Sequence, residues 1–487
     1  MAGHSTRHAR SWQASSKRSF RKSEYLNPKS ESILKFKLLN IKTLDSRLRG
    51  NDSKVSSFDI RIYIMLNTYS KHILKNGIRL ILVPDESKEV VTTMIAFGVG
   101  SRYESDTLAG ISHVLEHMHY KGTKKRPTAL AISEFIEGVG GEHNAFTSKE
   151  YTGYFVKVAS KYLERSVDFL ADLLTGSLFD PAELEKEKDV IVQELDMYED
   201  LPMEVAASRF ETALFGKNSL GRDVIGYKKS VKSITRDDLI KYRDQYYLGA
   251  NTVVVLSGNF GGLTEKEAVA LIGKCFNLSE RAAPKYPKIK LNHTKSYNLV
   301  HRKNEQSQLV IGFPGCSHTD PDRYNLKMLA LILGGSMSSR MFTEIREKRG
   351  LAYAVRSSVT NYLDTGSIET VAGVPHARVE ETIKAILAEY EKIILGVTAT
   401  ELNRAKEYIY GSLLIGFEDS TELASHYLLN ELLTSQIKTP AEVAAVYQKI
   451  TLADVQKVAA KYLDFSRLTI SFVGPELTEE KLKQIIN

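Results

Sequence analysis

The second half of this 487-residue chain repeats landmarks of the first half at one constant offset along the sequence. The aligned pairs are Ile234 with Ile450, Asp238 with Asp454, Tyr246 with Tyr462 and Gly258 with Gly474. Both copies combine short aliphatic and β-branched runs, which are typical of strands, with longer helix-like segments. The repeat therefore predicts two copies of one α+β unit, each a mostly antiparallel sheet with helices packed on one face.

Length and local composition place the boundaries of the two copies. At roughly 150 residues per domain, a chain of this length predicts two or three domains. The segment Asn277–Tyr297 is polar, contains two prolines and has no apolar period, as expected of a linker. We predict a basic, disordered N-terminal extension at 1–64, a first domain at 65–280, a linker at 281–297 and a second domain at 298–487.

The N-terminal extension differs in charge from the rest of the chain. Between Met1 and Ser56 there are 13 Lys or Arg against 4 Asp or Glu, which leaves 53 basic and 55 acidic residues elsewhere. An Arg- and Ser-rich, acid-poor extension is typical of a mitochondrial transit peptide, and a basic arm can also bind nucleic acid or membranes. Alternatively, Met65 is the natural start and the extension is a translated upstream region.

These alternatives lead to different locations for the protein. We expect a cytoplasmic protein if translation starts at Met65, and a mitochondrial-matrix protein if the extension is a transit peptide. No segment approaches the ~20 apolar residues of a membrane-spanning helix, so no membrane span is expected. Because the remaining chain is nearly neutral, nucleic acid is not an expected partner either.

The run His113-Val-Leu-Glu116-His117 places two imidazoles four residues apart, with a carboxylate beside the second. On a helix the two imidazoles share a face and can bind one metal ion. His-x-x-Glu-His is the inverzincin signature, in which the carboxylate serves as a general base beside zinc. Histidine pairs also occur on solvated or core helix faces, so the motif needs a third ligand to support this interpretation.

A helix predicted farther along the chain offers carboxylates for the third ligand. Asp180 is the expected N-cap and Pro181 the first helical residue, with Glu183 completing a box-like cap. Glu187 and Glu194 lie seven residues apart, close to two helical turns, on one partly apolar stripe. A carboxylate on a half-buried stripe needs a partner, and a metal ion is one. The alternative is an exposed acidic helix.

The second copy of the repeat lacks these candidate ligands. At the offset of the aligned pairs, the three motif positions fall on Leu329, Ile332 and Leu333. With the offset widened by two, the downstream carboxylates fall on Ala405 and Ser412. We therefore predict that the first domain is catalytic and that the second is inactive and free to hold substrate.

Four segments resemble the pitrilysin and mitochondrial-processing-peptidase family of zinc metallopeptidases, and one of them, Asn251–Asn259, resembles the strand and turn that close the first domain. Gly110–Thr123 resembles the zinc-site helix of the family, and so does the spacing of the motif to Glu194. Gly140–Thr147 resembles the edge strand that pairs with the substrate backbone, and Leu333–Val355 resembles the substrate-contacting segment of the second domain. The resemblance covers nearly everything from about residue 66 to the end, and implies two homologous domains of the metallohydrolase fold of this family.

The resemblance also implies a role for each matching residue of the metal site. His113, His117 and Glu194 would bind one zinc ion per chain. Glu116 would act as the general base. Glu187 would be a second acidic residue near the site.

The same resemblance implies how a substrate is held. Asn144, Ala145 and Phe146 would pair with the backbone of an extended peptide, which is a mode that requires an unfolded substrate. Arg346 and Tyr353, which hold the spacing of an Arg/Tyr pair of the family, would contact the peptide from the second domain.

Together these features predict a zinc-dependent metalloendopeptidase that hydrolyses short or unfolded peptides. The zinc residues and the Arg/Tyr pair occur in one chain, which favours a homodimer over a pair with a different subunit. The alternative is a non-catalytic or partner-dependent subunit of a processing-peptidase-like assembly. Such proteins typically lose motif residues, whereas all of them are present here.

Overall fold

The structure is a computed structural model that describes residues 68–289, 291 and 294–486, so the predicted extension at 1–64 lies outside the described residues. Within them the chain forms one sheet in each copy of the repeat. The strands of the first sheet are β1 (Ser70–Ile73), β2 (Arg79–Pro84), β3 (Val90–Phe97), β4 (Glu142–Thr147), β5 (Thr152–Ala159) and β6 (Thr252–Gly258). Their spatial order is β1-β2-β6-β3-β5-β4, which places β4 at an edge.

The helices of the first half lie between and after these strands along the chain. They are α1 (Ile111–His119), α2 (Ala129–Glu137), α3 (Leu163–Gly176), α4 (Pro181–Glu199), α5 (Pro202–Phe215), α6 (Lys228–Ser233), α7 (Arg236–Tyr246) and α8 (Glu265–Cys275). The first core forms between this layer and one face of the sheet, where alternate residues of β2, β3 and β6 are buried.

The second half repeats this plan. Its strands are β7 (Ser296–His301), β8 (Ser307–Pro314), β9 (Ala354–Asn361), β10 (Gly366–Val374) and β11 (Thr469–Gly474). Its helices are α9 (Arg323–Gly334), a π-helix (Phe342–Lys348), α10 (Val379–Leu395), α11 (Ala399–Gly416), α12 (Ser420–Thr434), α13 (Pro440–Lys449), α14 (Leu452–Tyr462) and α15 (Glu479–Ile486). Between α8 and β7 the described residues form no helix and no strand.

The topology of the two sheets confirms the predicted repeat. The second sheet has the order β7-β11-β8-β10-β9, which matches β2-β6-β3-β5-β4 strand by strand. In each sheet one pair is parallel, β2 with β6 and β7 with β11, and the other pairs are antiparallel. The predicted fold class, two homologous α+β domains with mostly antiparallel sheets, is therefore confirmed. The motif-equivalent residues Leu329, Ile332 and Leu333 are buried in the second core.

Besides the predicted helices on one face, each sheet has a helix on its second face, because the halves exchange helices. Tyr427 and Leu428 of α12 pack on the second face of the first sheet, against Met94 and Val255. In return, α5 of the first half packs on the second sheet. The central strands are thus covered on both faces, which explains why β6 is buried along its whole length.

At the start of α4, two of the three predicted capping residues act as predicted. The side chain of Asp180 accepts hydrogen bonds from the backbone N–H groups of Ala182 and Glu183, and Pro181 is the first helical residue, as predicted. The Glu183 side chain does not complete the cap. It binds Lys186 Nζ at 2.6 Å, because the exposed ammonium one turn later competes for the carboxylate.

Phe97 is an anchor of the first core. Its side chain is fully buried, and its ring stacks on that of Tyr247 with centroids 3.8 Å apart. We expect Phe97→Ala to lower the free energy of unfolding by about 3–5 kcal/mol, because it leaves a cavity that the sheet cannot close. Leu395→Ala, at a side chain that is 82% exposed, should change it by less than about 0.5 kcal/mol. Equal effects of the two substitutions in urea unfolding would contradict this assignment.

No described helix combines the length and the apolar content that crossing a membrane requires.

Candidate active site

A buried carboxylate fixes the start of α1, the helix that carries the motif. Glu104 accepts hydrogen bonds from the backbone N–H groups of Gly110 and Ser112, at 2.7 and 2.8 Å. These bonds satisfy donors that a helix start leaves without partners. Gly110 adopts a φ of +94°, and a Cβ there would lie 2.5 Å from the carbonyl oxygen of Ile225. The entry to α1 is thus defined by residues that lie outside the motif.

The structure brings together His113, His117 and Glu194, the three residues that the family resemblance implies as metal ligands. The Nε2 atoms of the two histidines are 3.2 Å apart. Glu194 Oε2 lies 3.8 Å from His113 Nε2 and 3.6 Å from His117 Nε2. Among the described residues, these three form the group of side chains that could hold a metal ion.

The spacing of the three atoms suits a zinc ion. A tetrahedral zinc with ligands at about 2.1 Å separates its ligand atoms by about 3.4 Å, close to the observed distances. Burial, with a further contribution from His117, lowers the pKa of His113 to about 3, so its imidazole is neutral near pH 7. A neutral imidazole offers a lone pair to a metal. The donor set therefore fits zinc and leaves one coordination position open.

Glu187 lies behind the triad rather than in it. Its Oε1 accepts a hydrogen bond from His117 Nδ1 at 2.8 Å, and its Oε2 binds Lys121 Nζ at 2.6 Å. Burial acts to raise the pKa of Glu187, but the bonds from His117 and Lys121 outweigh it and hold the pKa below its ordinary value. The carboxylate thereby fixes the proton of His117 on Nδ1 and leaves Nε2 free to bind metal.

Glu116 faces the edge strand β4. Its Oε2 accepts a hydrogen bond from the hydroxyl group of Thr147, the last residue of this strand. Burial raises the pKa of the Glu116 carboxyl group, although the bond from Thr147 acts in the opposite direction. A carboxylate held between the motif helix and an edge strand is positioned to exchange a proton with a group bound there.

The segment expected to pair with substrate is strand β4. It pairs with β5 on one side, and no described strand pairs with its other side. Asn144 Oδ1 accepts a hydrogen bond from the backbone N–H of Ala145 at 2.8 Å. Phe146 packs against the core between the halves and meets the ring of Tyr151. The backbone edge of β4, more than its side chains, is therefore available to a peptide.

Arg346 and Tyr353 lie together in the second half. The guanidinium of Arg346 lies over the rings of Tyr353 and Phe342, at 4.7 and 4.6 Å from their centroids. The Tyr353 side chain is 78% exposed. Within the described part of the chain, neither side chain forms a hydrogen bond or ion pair with the metal-site triad. The structure thus pairs the two residues but does not join them to the zinc site.

Two residues of the site were missed from the sequence. Lys121 follows His117 by four positions, just past the end of α1, so helical spacing alone could have suggested it. Thr147 carried no signal beyond its place at the end of the predicted strand. Its contact with Glu116 spans 31 positions and exists only in the folded chain.

Lys121→Met is expected to weaken zinc binding about 10- to 100-fold, because Glu187 loses the cation that holds one of its oxygens. Lys121→Arg should recover most of the affinity, and Lys124→Met, at an exposed side chain three positions on, should leave it unchanged. Competition of the full chain with a chromophoric chelator measures the affinity. An unchanged affinity in Lys121→Met would show that Lys121 does not position Glu187.

Comparison with known proteins adds a second line of observation. A family model described as Insulinase (Peptidase family M16) matches residues 79–228, and one described as Peptidase M16 inactive domain matches residues 233–409. An uncharacterized zinc protease of Streptomyces coelicolor is 34% identical over 416 residues, which cover 84% of this chain and 90% of that protein. An uncharacterized zinc protease of Bacillus subtilis is 34% identical over 410 residues, which cover 83% of this chain and 98% of that protein.

A solved structure agrees with the fold. The crystal structure of a protease from Helicobacter pylori superposes with a TM-score of 0.79 at 24% sequence identity, and the match covers 84% of this chain and 100% of that chain. The candidate triad lies within residues 79–228, whereas the half with apolar residues at the motif positions is matched by the inactive-domain model. The two family models therefore divide the chain as the repeat does.

Proposed function

Because this chain belongs to peptidase family M16, a family of zinc proteases, we propose that it is a zinc-dependent metalloendopeptidase that cleaves short or unfolded peptides. The observation that carries the proposal is the convergence of His113 Nε2, His117 Nε2 and Glu194 Oε2 within 4.8 Å of one another. These three residues would hold one zinc ion per chain.

Zinc bound by three protein ligands supplies a Lewis acid that lowers the pKa of water and polarises a peptide carbonyl. Glu116, held by the hydroxyl group of Thr147, takes the proton of the attacking water. The same carboxylic acid then delivers this proton to the nitrogen of the leaving amine, so the carboxylate is regenerated. Glu187 keeps His117 in the tautomer that binds metal.

The substrate would add to the open edge of β4 as an extended strand, with hydrogen bonds to the backbone of Asn144, Ala145 and Phe146. Binding in this mode depends more on the backbone of the peptide than on its side chains, and it excludes folded substrates. Arg346 and Tyr353 would contact the peptide from the second domain. Since they do not touch the zinc site of their own chain, we propose a homodimer in which two chains enclose the peptide.

Cleavage of an unstructured basic peptide of about 20–30 residues tests the proposed activity. The zinc-loaded full chain should cut it at internal bonds, identified by mass spectrometry, and a zinc chelator should abolish cleavage. A folded protein of similar composition serves as the control and should remain intact. Light scattering tests the homodimer, and a stable monomer that still cleaves peptides would contradict it.

The second candidate function is a non-catalytic or partner-dependent subunit of a larger assembly. It is favoured only if the zinc-loaded chain cleaves none of several unstructured peptides. In that case the activity should be tested after mixing with candidate second subunits. The intact triad and the bond between Glu116 and Thr147 favour the enzyme, since a scaffold has no need to retain them.

A further inference from the structure

A cavity of about 740 Å³ is lined by α9, β9, α11 and α12 of the second half and by Ser148, Glu150 and Tyr151 of the first half. In the first half the site is built by α1, which follows β3, by the edge strand β4 and by α4. The equivalent elements, α9 after β8, the edge strand β9 and α11, line the cavity through Lys327, Thr360 and Ser412 respectively. At the offset widened by two, Ser412 stands where Glu194 does. The motif-equivalent residues Leu329, Ile332 and Leu333 lie in the second core and do not line the cavity.

Two cations of α9 project into this cavity without an ion-pair partner. Lys327 and Arg323 lie one helical turn apart, and neither pairs with a carboxylate among the described residues. The Arg323 guanidinium donates hydrogen bonds to the carbonyl oxygen of His318 and to the hydroxyl group of Tyr324. Burial, and then the nearby charge of Arg323, lower the pKa of Lys327. The charge of an anion in the cavity would act in the opposite direction, because it favours the protonated amine.

The acidic groups that line the cavity do not neutralise these cations. Glu150 is bound to Arg102 Nη1 at 2.6 Å and accepts the backbone N–H of Leu363 at 2.9 Å. Glu422 is exposed to solvent at the start of α12 and forms no ion pair within the described part of the chain. Burial lowers the pKa of His318 to about 4, so this residue is neutral near pH 7. Lys327 and Arg323 are therefore the basic side chains of the cavity that lack a carboxylate partner among the described residues.

The rest of the wall is mainly apolar. It includes Tyr324, Leu331, Tyr408, Leu413, Phe417 and Leu429. A volume within about 300–1,000 Å³, apolar walls and a few converging polar groups are the usual features of a site for a small organic molecule. Inorganic anions would leave these walls without a contact. The ligand chemistry that suits both features is a carboxylate attached to an apolar body.

We propose that this cavity binds a small organic carboxylate, with its charge on Lys327 and Arg323 and its apolar body against the aromatic and aliphatic wall. The ligand is a free organic acid or the carboxyl terminus of a peptide. The second source fits the geometry because Ser148, which lines the cavity, directly follows β4, and this source alone rests on the peptide mode proposed for β4. The proposal does not rest on the proposed proteolytic function, since binding requires neither zinc nor hydrolysis.

Isothermal titration of the full chain tests the proposal with four probes: 4-phenylbutyrate, N-acetyl-Leu-Phe with a free carboxyl group, the amide of that dipeptide, and inorganic phosphate. We expect a free carboxylate to bind and the amide and phosphate not to bind. Lys327→Met should weaken binding of the carboxylate about 10- to 100-fold, because a charge-assisted hydrogen bond is lost. Lys457→Met, at an exposed lysine of α14, is the matched control and should leave it unchanged.

A second variant makes the result independent of the lysine. Ser412→Phe places a ring in the cavity without altering its charge and should weaken binding of every carboxylate probe. If Lys327→Met does not fold, as judged by circular dichroism, Lys327→Gln and Ser412→Phe decide the outcome. Binding of 4-phenylbutyrate identifies a free acid as sufficient, and binding of the dipeptide alone identifies a peptide terminus. No binding of either carboxylate up to about 10 mM, or binding that the cavity variants leave unchanged, overturns the proposal.

Discussion

Glu116→Gln is expected to reduce kcat for peptide cleavage by about 10²- to 10⁴-fold while zinc remains bound. The amide cannot accept the proton of the attacking water, so the general-base contribution is lost. Zinc is retained because Glu116 does not belong to the triad. The amide oxygen can still accept the hydrogen bond from Thr147, so the geometry of the site should change little. Steady-state kinetics and metal analysis of the same sample measure both quantities.

Glu134→Gln is the matched control for this substitution. Glu134 is exposed on α2, and its replacement makes the same chemical change away from the site. It should leave both activity and zinc content unchanged. A zinc-loaded Glu116→Gln enzyme that keeps more than about a tenth of the activity would show that another group removes the proton.

Glu194→Gln is expected to lower zinc affinity by more than about 100-fold, and to abolish cleavage at zinc concentrations that saturate the unsubstituted chain. The substitution replaces the triad's anionic ligand with a neutral amide and leaves two imidazoles to hold the ion. The loss should exceed that of Lys121→Met, because Lys121 reaches the metal only through Glu187 and His117.

The helix that carries Glu194 also supplies its control. Glu185→Gln changes an exposed carboxylate of α4 that is paired with Lys188, and should alter neither zinc affinity nor activity. Zinc affinity within about threefold of the unsubstituted chain in Glu194→Gln would remove Glu194 from the ligand set. In that case Glu187, the other carboxylate on this helix, would become the candidate ligand.

Features carried by short or regular spacings could be predicted from the sequence. The constant offset between the two copies predicted two sheets of one topology, because equivalent apolar runs form equivalent strands. His113 and His117 converge because a helix places residues four apart on one face. The start of α4 at Pro181 followed from Asp180, since a cap acts on its nearest neighbours along the chain. Each of these predictions needs only local backbone geometry.

The role of Glu187 could be predicted from the sequence only in part. Helical spacing placed it on one stripe with Glu194. The family resemblance then implied Glu194 as the metal ligand and Glu187 as an acidic residue near the site. In the structure both assignments depend on distances across two helices: Glu194 Oε2 is 3.6 Å from His117 Nε2, whereas Glu187 binds the opposite ring nitrogen. The sequence contains no information on which side of an imidazole a carboxylate will meet.

The sequence by itself determined the two-copy α+β plan, the histidine pair with its neighbouring glutamate, and the loss of ligands from the second copy, because these follow from periodicity along the chain. Only the tertiary structure decided which residues support the site and where a cavity forms beside the second sheet. The contact of Thr147 with Glu116, the exchange of α5 and α12 between halves, and the cavity around Lys327 join segments far apart in sequence. Such contacts are set by how whole elements pack, and local spacing does not specify that packing.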